Sequence, residues 1–188
     1  MNTLATIFAR TALAAALVLA GSGAGLASSQ PAGANLPLAS SLIAAGGGAG
    51  SYSTVRAFDA MIGDNAVLSD QRQLATNFGQ ANADRFVHMF DYAIADAWQV
   101  AGKDDVSMPA PSQTGGQTLA AQLVQAGVTN GGITFDTDTF FTQLFGSKIA
   151  SQVQADVNAK YGAGAWTNFS RLSGEFFHNI GQTVGVNV

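Results

Sequence analysis

The stretch ADRFVHMFDYAIADAWQVA, residues 83–101, decides the fold. Its apolar residues Phe86, Phe90, Ala93, Ala97 and Ala101, with Val87, Ile94 and Trp98 beside them, recur at spacings of three and four. That is the period of a helix burying one face, and Gly102 closes it. The same period extends through the rest of the chain. Ser51 or Ser53 can cap a helix running to about Ile62, and Ser69 can cap another over Asp70–Phe78 that stops at Gly79.

After the Pro109-Ala110-Pro111 bend, helical patterns run from about Gln117 to Ala126 and, past an Asn130-Gly131-Gly132 turn, from near Asp138 toward Lys160. The second of these is broken at Gly146-Ser147, and a last helix spans Ala165 to about Val184. No alternating strand pattern of useful length and no internal repeat occurs. The expected class is all-α: an irregular bundle of five to seven helices in one domain over residues 51–188.

Upstream, residues 1–27 read as a secretory signal peptide. Arg10 precedes the apolar run Thr11–Ala20, and small residues lead to Gly25-Leu26-Ala27, where a peptidase cuts after Ala27. The run is half of the roughly 20 residues needed to span a bilayer, so no membrane span remains once the signal is removed. The expected protein is bacterial and exported, periplasmic or extracellular. Residues 28–50, built from Ala, Gly, Ser, Pro and a few Leu, are expected to be a flexible lead-in, although Leu36, Leu38, Leu42 and Ile43 could form a short helix.

Composition narrows the chemistry. Losing Arg10 with the signal moves the formal charge from −4 to −5, and the remaining Lys and Arg never form a run. Nucleic acid and anionic membranes reward clustered cations, so neither is an expected partner. The absence of cysteine removes disulfides, thiol catalysis, Cys-ligated zinc and iron–sulfur clusters. No cofactor is called for by any motif: neither a G-x-S-x-G elbow nor a phosphate-binding Gly-rich loop is present.

Both histidines of the chain lie in expected helices beside carboxylates. Asp84, His88 and Asp91 share one stripe, which as a functional unit would be a metal half-site or an oriented proton-transfer histidine. At about 100° per residue that stripe points away from the apolar face, so it reads as a solvated helix face.

Glu175 and His178 form an E-x-x-H pair, the unit repeated in di-iron bundles. A full site needs further Glu ligands, and Glu175 is the only Glu, so this too reads as an outer face with an Arg171–Glu175 pair. If helix packing joined the stripes, His88, Asp91, Glu175 and His178 could form one metal site. Asp136 and Asp138 lack the EF-hand pattern, and Asp136, Thr137 or Asp138 reads as a helix cap.

The remaining signal is aromatic. Phe140, Phe141, Phe145, Phe176 and Phe177 spread an apolar arc wider than one helix interface requires. They read chiefly as core, with one member of each pair left to face a neighbouring helix, a ligand or another chain.

The leading expectation is therefore a non-enzymatic exported domain that binds an unknown protein or an apolar small molecule through a Phe-rich core or surface. The competing classes are a metal protein or enzyme using the histidine stripes and a self-associating surface or matrix component. N-terminal sequencing of the exported protein should begin at Ser28 or within a few residues; a mature chain retaining Met1 would overturn the export reading.

Overall fold

The computed structural model describes residues 34–102, 113–129 and 134–188. The expected signal peptide over residues 1–27, residues 28–33 of the expected lead-in, the bend expected at Pro109-Ala110-Pro111 and the turn expected at Asn130-Gly131-Gly132 lie outside the described residues. Among the described residues the elements are α1 (Leu36–Ala45), α2 (Thr54–Ile62), α3 (Asp64–Phe78), α4 (Gln80–Val100), α5 (Gln113–Gly127), α6 (Thr137–Phe145), α7 (Ser147–Tyr161) and α8 (Ala165–Val184). No strand is present among them beyond one isolated bridge between Val128 and Phe135. The chain is an all-α, single-domain bundle.

Local signals set most helix ends. The Ser53 side chain accepts from Arg56 N at the start of α2, and the Asp136 carboxylate accepts from Thr139 N at 2.7 Å at the start of α6. Both satisfy backbone donors that a first helical turn leaves unpaired. Gly63 and Gly79 each join two helices as a single-residue corner, at φ/ψ of 85°/152° and 86°/147°. That conformation is essentially confined to glycine, so the corners exist because these residues lack a Cβ.

Two expectations need correction. Residues 36–45 take the short-helix alternative rather than a flexible lead-in: they form α1, whose Leu36, Ala39, Leu42, Ile43 and Ala45 are buried against α2, α5 and α6. The Asn35 side chain caps it through Leu38 N, and Asn35 N donates to Gln143 O at 2.8 Å. Its few bulky groups are adequate because a core built elsewhere receives them. Helix α3 begins at Asp64 rather than after Ser69: Gly63 turns the chain, and Asp64 then sits in the first turn, where a negative charge meets the positive end of the helix dipole. With α1 added and the break at Gly146 separating α6 from α7, eight helices are present among the described residues.

Helices α4 and α8 form the centre, as their periodicity requires. Helix α8 packs against α3, α4, α5, α6 and α7, and α4 against α2, α3, α7 and α8. Their shared interior is aromatic. The Phe90 ring lies 5.8 Å from Phe86, Phe169 and Phe177, and Phe58 reaches in from α2 to meet Phe176 edge-on at 4.9 Å. Phe135 stacks on Phe177 at 4.1 Å with the planes 6° apart. Because Phe90 is fully buried among these rings, Phe90→Ala should reduce unfolding free energy by about 3–5 kcal/mol in urea titration. A loss under about 1 kcal/mol would mean that the cluster is not the core.

Candidate functional site

The Asp84–His88–Asp91 stripe divides into three separate roles. Asp84 accepts a hydrogen bond from Gln80 Nε2 at 2.8 Å, one turn earlier on α4. The His88 ring is exposed, and its backbone carbonyl accepts from the Tyr161 hydroxyl at 3.1 Å. Asp91 is half-buried, and its Oδ1 accepts from both Thr54 N and Thr54 Oγ1 at 2.6 Å. Thr54 is the first residue of α2, so Asp91 caps that helix from α4 and is no solvated-face residue.

Burial raises the Asp91 carboxyl pKa, while the two Thr54 hydrogen bonds and His88 pull it the other way. Burial and the nearby Asp91 together push the Tyr52 hydroxyl well up.

The Glu175–His178 pair also separates. Glu175 Oε1 accepts from Asn77 Nδ2 of α3 at 2.8 Å, and the Arg171 guanidinium lies 4.6 Å from the centre of the Phe78 ring. Both side chains therefore reach across to α3 instead of serving only a pair along α8. His178 is half-buried, correcting the expectation of a freely solvated ring. Its Nδ1 faces Val188 O, so it donates there, and Nε2 is left to accept from Gln182 Nε2 at 2.9 Å. Among the described residues no three His, Asp or Glu side chains gather as a metal-binding group.

Phe140, Phe141, Phe145, Phe176 and Phe177 are all buried, so none of the consecutive pairs leaves a ring on the surface. The bundle is closed enough that both rings of a pair find a neighbour: Phe140 meets Phe177, and Phe141 meets Trp166. Of the cap candidates Asp136, Thr137 and Asp138, Asp136 takes that role, and Asp138 accepts from Trp166 Nε1 at 2.7 Å.

An apolar opening lies where α2, α3, α4 and α8 meet. Its buried lining is Thr54 of α2, Val67 and Leu74 of α3, Ala83 and Phe86 of α4, and Phe176 of α8. Gln71, Gln80 and Asp84 give it a polar rim. Its volume is about 20 Å³, room for one water-sized body.

Two further carboxyls were missed by the sequence reading. Asp70 of α3 is only 5% exposed, its Oδ2 has no hydrogen-bond partner, and burial raises its pKa to about 6. The available signal was its place in the apolar stripe Val67, Asp70, Leu74. Asp96 of α4 is raised to about 6 by burial and then by Asp156 of α7, with Lys160 acting in the opposite direction. Two like charges held together leave one carboxyl reluctant to ionise. Lys160 Nζ sits 3.8 Å above the Tyr92 ring beside this pair. Its signal lay in the i, i+4 spacings Tyr92–Asp96 and Asp156–Lys160 on two helices, but nothing in the sequence showed that these helices touch.

Both raised carboxyls give stability a definite sign with pH. Their folded pKa values exceed the ordinary 3.8, so the protonated forms favour the native state. That contribution is complete below about pH 4 and is lost as the pH rises through about 6. Urea titrations should show Asp70 alone costing on the order of 1 kcal/mol between pH 5 and 7.5, and Asp70→Asn should remove that part of the slope. A wild-type profile that the variant leaves unchanged would contradict the burial of an unpaired carboxyl. Comparison with protein-family models, curated proteins and solved structures finds no match to this chain, so a functional reading rests on the site itself.

Proposed function

We propose that this chain is an exported, non-enzymatic binding protein that takes up an apolar small molecule in the cleft between α2, α3, α4 and α8. The observation that carries the reading is the composition of the cleft: an aliphatic and phenylalanine lining beneath a rim of Gln71, Gln80 and Asp84. Such a lining rewards the transfer of an apolar group from water, and a sparse polar rim orients it. The ligand class is largely hydrocarbon and not anionic, because Asp84 stands on the rim and no cation lines the cleft to hold an anionic head group. In this reading the remaining polar contacts on α4 and α8 have structural roles: Asp91 caps α2, and Glu175 ties α3 to α8.

Two substitutions test the cleft without touching the central aromatic cluster. Leu74→Ala removes buried lining and enlarges it, whereas Ala83→Leu fills it. N-phenyl-1-naphthylamine fluorescence should show saturable binding that strengthens in Leu74→Ala and is lost in Ala83→Leu. Equal binding by both variants, or none by wild type and Leu74→Ala, would exclude the cleft. Native mass spectrometry of the purified protein then decides between a bound organic molecule, a metal ion and a second copy of the chain. Either of the last two without the first would favour the metal or self-association readings.

A further inference from the structure

A cleft with room for one water cannot accept a hydrocarbon ligand unless part of its wall moves. The wall least firmly held is α3. This 15-residue helix buries only Val67, Asp70 and Leu74, whereas α4 and α8 bury continuous apolar faces. Val67, Gln71 and Leu74 form its side of the cleft.

Its two ends differ. At the C-terminal end, Asn77 bonds to Glu175, Phe78 lies under Arg171, and Phe78 O accepts from Asn82 Nδ2 at 2.8 Å. Its remaining buried side chains all lie on the N-terminal side of that anchorage. One of the three is a carboxyl whose Oδ2 has no hydrogen-bond partner. The joints at both ends are glycines in the positive-φ region, and a Cβ placed on either would meet nothing within 4 Å. Neither corner is wedged by neighbouring atoms.

We propose that α3 is a lid over the cleft, pivoting at Gly79 with slack supplied by Gly63, and that Asp70 is its latch. With Asp70 protonated, the inner face of α3 is uncharged and rests on the core. With Asp70 ionised, an unpaired charge must reach water, and the lid rises to expose the cleft. Helices α2, α4 and α8 pack against α3. Their charged and titratable groups are Arg56 and Asp59 on α2, Asp84, Arg85, His88 and Asp91 on the neighbouring part of α4, and Arg171, Glu175 and His178 on α8. None supplies an ionic partner to Asp70, whose shift has burial as its sole cause. Opening is therefore driven by solvation of one carboxylate. The ligand entering this way rests on the binding reading above, whereas the movement of α3 does not.

Hydrogen exchange of the full chain, read by mass spectrometry at pH 5 and 7.5 and corrected for intrinsic amide rates, tests the movement directly. Peptides from α3 should lose about tenfold in protection at the higher pH relative to those from α4, as expected for a carboxyl near 6 closed and near 3.8 open. In Asp70→Asn, and in Asp70→Leu as a second uncharged variant, that difference should vanish. N-phenyl-1-naphthylamine should also enter wild type faster at pH 7.5 than at pH 5, with no such acceleration in the variants.

If α3 and α4 share one pH dependence, or the uncharged variants leave the difference intact, the latch is overturned. A pH-dependent α3 with no probe binding would keep the lid and reject the ligand. Probe binding with an unresponsive α3 would do the reverse.

Discussion

The contact among Phe58, Phe86, Phe90, Phe176 and Phe177 joins α2, α4 and α8, and the other helices are arranged around it. A chain without cysteine has no covalent means of restricting its unfolded state, so burial of apolar area must offset the conformational entropy lost on folding. Large rings suit that task because each removes a wide surface from water, and edge-to-face contacts add to the gain. Phe140 and Phe141 of α6 extend the cluster to Phe177 and Trp166, while Phe135 covers Phe177 from the short connection before α6. The same closure leaves little room for a preformed cavity.

Charge is distributed unevenly around that core. Helix α1 and helix α5 carry no charged side chain, whereas α3, α4, α7 and α8 hold most of the charges of the described residues. The α1–α5 side meets water through Gln, Ser and Thr. On the other side, carboxyls are placed where water reaches them poorly: Asp91 at the start of α2, Asp96 against Asp156, and Asp70 beneath α3. Their local solutions differ. Asp91 receives two hydrogen bonds, Asp96 has Lys160 close by, and Asp70 Oδ2 has no hydrogen-bond partner. Loss of hydration is a cost at both Asp91 and Asp70; at Asp91 the two hydrogen bonds from Thr54 offset it and tie the start of α2 to α4.

How much was legible in the chain depended on whether a residue's role was local. Helix α4 stood out because its apolar period is long and uninterrupted, and α8 ran from Ala165 to Val184 as expected. Ser53 and the Gly146 break also act within a few residues of themselves. Helix α1 was obscure because its Leu and Ala content is too small to hold it unless a core waits for it. Asp91 was assigned to a solvated face because its angle on α4 was known while the position of Thr54 was not.

What the amino-acid sequence determined is thus the set of local propensities: all-α class, the long central helices, the glycine corners, and an interior that had to be aromatic. These follow from a helical period, from capping chemistry and from the absence of cysteine, all of which act along the chain. Only the tertiary structure decided that Glu175 would bond to Asn77, that His178 would face Val188, and that α3 would roof an apolar cleft with an unpaired carboxyl on its inner side. Those outcomes depend on which helix faces lie opposite one another. Hydration and hydrogen bonding are settled by that placement, and a helical period states only which side of each helix seeks the core.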